Sequence, residues 1–328
     1  MRIGLYCHAK GIFHEVVSID KALDVDTMYV VQQDNLIVNI TFAWEHAIAI
    51  TTDRDAGKLV SHRFPTYAFR NGHCHNYYKF AILKKRFRYD LGVASPGGAG
   101  RNRVLNKKLF LEIPMIIPSY DEQQKIADFL SLVDERIEKQ RQLVELLKRY
   151  KRGLLSLVFK GNFQMVKLAD ICDFVSSSHT ISNLGARESG IYPVYDAAGL
   201  SMYIDTYDMH EEYISIVKDG SGIGRLQKCD KNSSFIGTLG ALVAKNCEID
   251  YLFAVLQTID FSRFATGMAI PHIYYKDYKN TLIPLPSQDT QKNISRLFRN
   301  IDIHIEQNSI QLDKILVLKH GLLQQMFI

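Results

Sequence analysis

The sequence predicts an α+β chain: two similar mixed, mainly β globular domains separated by two long helices that pair as an antiparallel coiled coil. Three observations predict it. Residues 117–159 align without a gap on residues 285–327, and 13 of the 43 positions are identical, among them Gln123/Gln291, Asp134/Asp302, Lys151/Lys319 and Phe159/Phe327. Both aligned segments carry apolar residues at a heptad spacing. The stretch before each is rich in β-branched and aromatic residues and in turn-forming glycines.

The helices are the clearest elements. Ile126, Leu130, Val133, Ile137, Gln140, Val144 and Leu147 step by alternating fours and threes, and Ile294, Phe298, Ile301, Ile305, Asn308, Leu312 and Ile315 repeat the pattern. Each seam holds one polar residue at the same place, Gln140 or Asn308; such a residue costs stability but can fix register. Pro118-Ser119-Tyr120-Asp121-Glu122 offers a Ser N-cap with Glu three residues on, a capping box. Pro286-Ser287-Gln288-Asp289 keeps the cap, with Thr290 in the place of Glu122. Each helix of roughly 38 residues would be about 57 Å long at ~1.5 Å per residue. A helix with a single apolar stripe needs a partner, and each has its equivalent in the same chain. Antiparallel pairing follows from each helix leading out of one domain toward the other.

The expected domains are residues 1–118, with helix 119–160 after them, and residues 161–286, with helix 287–328 after them. In the first, VNITFAWEHAIAITT (38–52) reads as strand, NYYKFAILKKRFR (76–88) as one short helix, and ASPGGAGRNR (94–103) as a loop. In the second, EEYISIVKDGSGIGRL (211–226) reads as a strand, a glycine turn and a second strand. Residues 66–83 also match 239–256 in apolar pattern, with Tyr78/Tyr251, Phe80/Phe253, Ala81/Ala254 and Leu83/Leu256 identical, so the domains repeat as well as the helices.

Composition narrows the class. No apolar run approaches the ~18 residues of a membrane span, and MRIGLYCHAKGIFHE does not read as a secretory signal. Five scattered cysteines fit a reducing cytosol better than a disulfide framework, so a cytoplasmic protein is expected. The net charge of +5 is uneven: residues 1–118 hold 16 Lys and Arg against 10 Asp and Glu, whereas residues 161–286 hold 10 against 14. The first domain suits nucleic acid on charge alone; the second needs a local basic face to do so.

No catalytic centre is legible. Gly220-Ser221-Gly222-Ile223-Gly224 follows a strand as a nucleotide-binding loop does, but the short polar RLQKCDKNSS after it does not open a helix, so a hairpin turn is expected. Neither an Asn-Pro-Pro-Tyr or Asp-Pro-Pro-Tyr motif nor a Walker loop occurs. His73-Cys74-His75 has no second ligand pair to complete a metal site, and no metal is expected. Basic residues interleaved with aromatics are the candidates for binding DNA: Lys84, Lys85, Arg86, Arg88, Arg101, Arg103 and Lys107 in the first domain, and Lys218, Arg225, Lys228 and Lys276 in the second. Lys108 lies beside Lys107 in the first cluster, and the second-domain residues, with Lys231, Arg263, His272, Tyr274 and Tyr275 beside them, are the weaker candidates.

The order of domain, Pro-x-x-x-Glu-Gln-Gln-Lys-Ile helix, domain, and Pro-x-x-x-x-Gln-x-x-Ile helix resembles the specificity subunit of Type I restriction-modification enzymes. IIPSYDEQQKIADFLSLVDERIEKQRQLVELLKRYKRGLLSLVF and its second copy carry the likeness, with NITFAWEHAIAI and GGAGRNRVLNKKLFLEIPMIIP beside them. The resemblance implies two target-recognition domains, each reading half of a split sequence in double-stranded DNA. It implies helices that act as a spacer and dock two methyltransferase subunits, and a restriction motor-nuclease subunit that joins them. S-adenosylmethionine, and ATP with Mg, are then expected on those partners, with no cofactor and no catalysis in this chain. Two departures stand out: the first domain has a shortened opening, and the second helix lacks Glu and one Gln of the Glu-Gln-Gln pattern. They leave an alternative, a silent relative that binds methyltransferase subunits without reading DNA.

Overall fold

The computed structural model describes residues 1–16, 27–98, 102–184, 190–267 and 270–327. The chain divides into two units, Met1–Arg141 with Ile310–Ile328, and Gln142–Ser309. Two helices of 39 residues, Tyr120–Val158 and Gln288–Met326, each contribute one half to each unit. They are α4 and α9 in chain order.

In the first unit, strands β1 (Arg2–Leu5), β2 (Ile12–Glu15), β3 (Met28–Val30) and β6 (Leu59–Ser61) form a sheet of order β2-β1-β6-β3, with β1 parallel to β6 and the other pairs antiparallel. Strands β4 (Leu36–Val38), β5 (Ile48–Ile50) and β7 (Thr66–Tyr67) form a second sheet. Ile3, Val31, Ile37 and Val60 are buried together in this unit.

Two readings of this unit are corrected. The segment 38–52 is not one strand. β4 and β5 pair antiparallel, Ile37 opposite Ala49, and a single 3-10 turn at Ala43–Glu45 lies between them. Asn39 Oδ1 accepts the Thr41 N–H at 3.0 Å, the Trp44 indole N–H donates to the Thr41 carbonyl at 3.1 Å, and His46 closes the turn at φ +65°. Local side-chain bonds of this kind compete with strand formation. The segment 76–88 is likewise two helices, α1 (His75–Ala81) and α2 (Lys85–Val93). Lys84 between them is extended, with ψ of 138°. The buried His46 ring is 2.7 Å from the Ile82 carbonyl through Nε2, so that carbonyl has a partner where the helix stops. A short helix α3 (Lys107–Leu111) follows, capped by Asn106, whose Oδ1 accepts the N–H groups of Lys108 and Leu109.

In the second unit, β9 (Cys172–Ser176), β12 (Tyr213–Val217), β13 (Leu226–Cys229) and β15 (Leu239–Ala244) form an antiparallel sheet of order β13-β12-β15-β9. β12 is buried at every position, as the apolar run YISIV requires. β10 (Tyr192–Asp196), β11 (Gly199–Ile204) and β14 (Ser234–Phe235) form a second sheet, and β8 (Gln164–Lys167) pairs antiparallel with β16 (Leu282–Leu285). Helices α5 (Leu168–Ile171), α6 (Ile181–Leu184), α7 (Ile249–Leu256) and α8 (Tyr275–Tyr278) complete the unit. The glycine segment after β12 turns directly into β13, as the hairpin reading expects. Gly224 sits at φ +78°, and a Cβ there would lie 2.6 Å from Phe261 Cβ, so only glycine serves.

The two halves of α4 and α9 run antiparallel within each unit. In the second unit Lys151 of α4 meets Asp302 of α9 at 2.6 Å, and Phe159, just past the end of α4, stacks on Phe298, earlier on α9. In the first, Asp134 meets Lys319 at 2.5 Å, and Ala127 and Leu130 share a core cluster with Leu322, Leu323, Met326 and Phe327. These are the same ion pair twice, because Asp134/Asp302 and Lys151/Lys319 are repeat equivalents. Each lysine also lies 5.8 Å from the ring of an equivalent phenylalanine, Lys151 over Phe253 and Lys319 over Phe80. The seam residues Leu130, Ile137, Gln140, Val144, Ile294, Phe298 and Ile301 are buried, and Ile126, Val133, Leu147, Ile305, Asn308, Leu312 and Ile315 are half-buried. The Ser287 cap forms: its hydroxyl accepts the Thr290 N–H at 3.4 Å and bonds the Thr290 hydroxyl at 3.0 Å.

A second repeated device is a buried glutamine. Gln123 is 1% exposed; its Oε1 accepts the Cys74 N–H at 2.9 Å, and its Nε2 donates to the Pro118 and Gly72 carbonyls. Gln291, 2% exposed, accepts the Glu248 N–H at 3.2 Å and donates to Pro286 at 2.9 Å. Each glutamine thus ties the start of a long helix to the start of α1 or α7. Replacing Gln123 or Gln291 by Ala leaves a buried N–H unsatisfied and is expected to cost about 1–3 kcal/mol, read from urea unfolding midpoints. In the second unit Asp250, in the first turn of α7, is bonded by Lys228 of β13 and Arg299 of α9. Burial alone would raise its carboxyl, but these cations outweigh that and hold it below the ordinary range. A carboxyl lowered on folding stabilises above its unfolded value and loses that contribution as the pH falls. Asp250→Asn is therefore expected to be less stable than the parent at neutral pH, with the gap closing as the pH falls below about 4, read from urea midpoints across pH.

Candidate nucleic-acid interface

Helix α2 sorts the basic cluster of the first unit. Phe87 and Leu91 are buried inward, four residues apart, which turns Lys85, Arg86, Arg88 and Tyr89 outward. Lys85, Arg88 and Tyr89 then line an open concavity together with Trp44 and Arg103. The Arg103 guanidinium lies 5.5 Å from the Trp44 ring and donates to the carbonyls of Ser95 at 3.0 Å and of Gly92. Arg103 thus caps the end of α2 and keeps Trp44 in place, while the exposed Lys85 and Arg88 supply charge beside two aromatic rings.

The other candidates of this unit lie elsewhere. Lys84 is half-buried with its amine 5.6 Å over the Phe327 ring, and burial lowers its proton affinity. Arg86 is paired with Asp90 at 3.1 Å and lies over Tyr89. Lys107 is exposed at the start of α3. Arg101 lies outside the described residues. Trp44 reads as a strand residue in the sequence; VNITFAWEHAIAITT holds no Lys or Arg, so only the fold brings this tryptophan beside Lys85, Arg88 and Arg103.

The second unit brings fewer cations together. Lys218 and Arg225 bracket the glycine hairpin. Arg225 is exposed and donates to the Ala197 carbonyl at 3.0 Å, and Lys218 lies 4.0 Å from Asp219. His272 Nδ1 is 2.7 Å from Asp219 Oδ1, and the Gly220 N–H donates to the Pro271 carbonyl at 2.9 Å. These bonds fix the hairpin against the later loop, a positioning role that spacing in sequence does not reveal. Lys228 does not join the hairpin tip; it is held by Asp250 on the side of α7 and α9. Lys276 is exposed on α8 with its amine 5.3 Å over the Tyr274 ring.

The arrangement offers charge and stacking surfaces rather than an activated group. Burial, with lesser contributions from Glu45 at Cys7, pushes the Cys7 and Cys247 thiols up to about 11 and Cys172 up to about 12, the reverse of an activated thiolate. His73 bonds the Tyr78 hydroxyl at 2.7 Å and His75 pairs with Asp34 at 3.2 Å. Among the described residues no group of three or more His, Cys, Asp or Glu is placed to hold a metal ion, and no helix is long and apolar enough to cross a membrane.

Comparison with known proteins places this geometry. The family model for the Type I restriction modification DNA specificity domain matches residues 19–148 and 160–315. The chain is similar to the Type I restriction enzyme MjaVIII specificity subunit of Methanocaldococcus jannaschii, at 25% identity over 248 residues that make up 62% of this chain; it spans 58% of that relative's length. Its fold is similar to the Type I restriction-modification S subunit of M. genitalium, with a TM-score of 0.60 at 16% identity over 95% of this chain and 87% of that one. A chain from a structure described as underlying complex assembly and conformational transition of the type I R-M system gives a TM-score of 0.55 at 16% identity, over 91% of this chain and 82% of that one. With two stretches matched, one reaching into each long helix, the chain belongs to the Type I restriction modification DNA specificity domain family.

Proposed function

We propose that this chain is the DNA-reading subunit of a Type I restriction-modification system. It recognises a target in two parts and brings adenine methyltransferase subunits to it without chemistry of its own. The observation that carries the reading is the concavity of the first unit, where exposed Lys85 and Arg88 flank Trp44 and Tyr89 in a chain of the DNA specificity family. Cations of this kind hold phosphates and set register, while neighbouring loop side chains meet base edges in the groove. In the second unit the glycine hairpin, bracketed by Lys218 and Arg225, takes the same part. The helices α4 and α9, continuous through both units, serve as the spacer and as the seat of the methyltransferase subunits. S-adenosylmethionine, and ATP with Mg, belong to the methyltransferase and motor-nuclease partners, and the assembly works in the cytoplasm.

One observation favours a second reading, a scaffold that binds methyltransferase subunits without reading DNA. The second unit's expected domain is acidic, and Lys228 is committed to Asp250. A fluorescence-anisotropy titration of duplex DNA, with and without a methyltransferase, separates the two. The DNA-reading subunit gives sequence-preferring binding that weakens steeply with salt; the scaffold gives a stable protein complex with no sequence preference at any salt. Under the first reading, Lys85→Ala and Arg88→Ala each weaken binding across all sequences and lower the salt-dependence slope by about 1. Trp44→Ala is expected to weaken binding with little change in that slope, because it removes no charge.

A further inference from the structure

Hydrogen bonds place one turn of each unit in a common frame that the spacing of the sequence repeat does not show. In the first unit Leu36, Ile37 and Val38 of β4 pair with Ile50, Ala49 and Ile48 of β5; in the second, Ile214, Ser215 and Ile216 of β12 pair with Lys228, Gln227 and Leu226 of β13. The next bonds coincide as well. The Asn39 N–H donates to the Ala47 carbonyl and the Val217 N–H to the Arg225 carbonyl, both at 2.9 Å. The Ile40 N–H donates to the Arg63 carbonyl and the Lys218 N–H to the Thr238 carbonyl, both at 3.0 Å. The Ile40 carbonyl accepts the Leu105 N–H at 2.8 Å, and the Lys218 carbonyl accepts the Ile273 N–H at 2.9 Å. Leu105 and Ile273 are themselves equivalents in the repeat.

Each frame encloses six residues, 41–46 in the first unit and 219–224 in the second. Each turn closes on a residue in the left-handed region, His46 at φ +65° and Gly224 at φ +78°. Within this common frame no position is identical: Thr-Phe-Ala-Trp-Glu-His stands against Asp-Gly-Ser-Gly-Ile-Gly. The frame is built twice, and its contents are free to differ. Each turn is also braced from outside. The His8 and Ala9 N–H groups donate to the Glu45 and His46 carbonyls at 2.8 Å, and in the second unit the Gly220 N–H donates to the Pro271 carbonyl while His272 holds Asp219. A loop held in one conformation presents its side chains with little further ordering on binding. What the two turns present is different. Phe42 is 40% exposed, two residues from Trp44, which lines the concavity with Lys85 and Arg88. Ser221 and Arg225 are exposed on the glycine hairpin.

Given the DNA-reading function proposed above, we propose that these two turns are the specificity-determining segments of their units, each reading one half of the target. A rigid frame that carries a variable, exposed tip is the usual arrangement for recognition. Lys85 and Arg88 hold phosphates and carry no base preference of their own. The turn 41–46 offers the apolar face of Phe42, suited to a thymine methyl group, whereas the turn 219–224 with Arg225 offers donors suited to the O6 and N7 of guanine.

The test selects bound duplexes from a library randomised in sequence, using the full chain with methyltransferase subunits, and reads the base preference at every position. Phe42→Ala is expected to lose about tenfold in discrimination at a position in one half of the target and to keep the parent's preference in the other. Ser221→Ala with Arg225→Ala is expected to do the same in the opposite half, where a preference for guanine is lost. Lys85→Ala is the contrast, with weaker binding and the parent's preference in both halves. Thermal melting followed by circular dichroism checks the fold; if the double variant melts early, Ser221→Ala alone carries the same expectation. A turn with a purely structural role would change the melting temperature and leave the base preference as it is. The assignment is overturned if variants that melt with the parent keep its preference in both halves, or if one variant relaxes both halves equally. A parent complex without sequence preference at any position would instead remove the DNA-reading function, and this assignment with it.

Discussion

A 39-residue helix with one apolar stripe has to bury that stripe, and both units are organised around that requirement. In each, half of α4 lies antiparallel to half of α9, and a helix of the adjoining mixed fold, α1 or α7, closes over the seam. The apolar contacts supply most of the stabilisation, since each buried large side chain is worth roughly 1.5–3 kcal/mol. They do not by themselves choose a register. That choice falls to the polar contacts: a lysine reaching an aspartate on the opposite helix and a phenylalanine on the closing helix, and a buried glutamine tying the closing helix to the start of the long one. Sliding a helix by a turn would break both at once and leave buried donors without partners.

The same economy of residues explains the distribution of charge. Lysines near the seam are used internally, Lys151 and Lys319 by aspartates and Lys228 by Asp250. Of the candidate cations, Lys85 and Arg88 face outward on α2, and Arg225 faces outward beside the glycine hairpin. An uneven net charge along the chain is thus compatible with binding an acidic polymer in both units, because the relevant quantity is the local field at the exposed face. Trp44 and Tyr89 beside Lys85 and Arg88 add flat surfaces to that field in the first unit. The second unit places Tyr274 under Lys276 but keeps this pair apart from Lys228.

Much of the fold was legible because its signals are local. The heptad steps, the serine and proline at each helix start and the glycines after YISIV act over a few residues, and the elements follow them. Where local signals competed, the reading went astray. NITFAW is rich in strand formers, yet Asn39 and Trp44 hydrogen bonds fold it into a turn. NYYKFAILKKRFR has helical composition throughout, yet it breaks at Lys84, beside an Ile82 carbonyl that is bonded by the distant His46. The first outcome rests on bonds local to the segment that outweigh its strand composition, and the second on a partner 36 residues away.

By itself the sequence determined the repeat, the length and stripe of the two helices, and which basic residues accompany aromatics, since all of these are properties of spacing along the chain. The tertiary structure alone decided which of those charges remain available. Lys84 and Lys85 are neighbours in sequence, but helix geometry sends one over Phe327 and the other beside Trp44. Arg225 and Lys228 lie three residues apart, but only Lys228 meets Asp250, the carboxylate that Arg299 of α9 also bonds. Charge acts through space over a few ångströms, and only folding brings distant partners within that range.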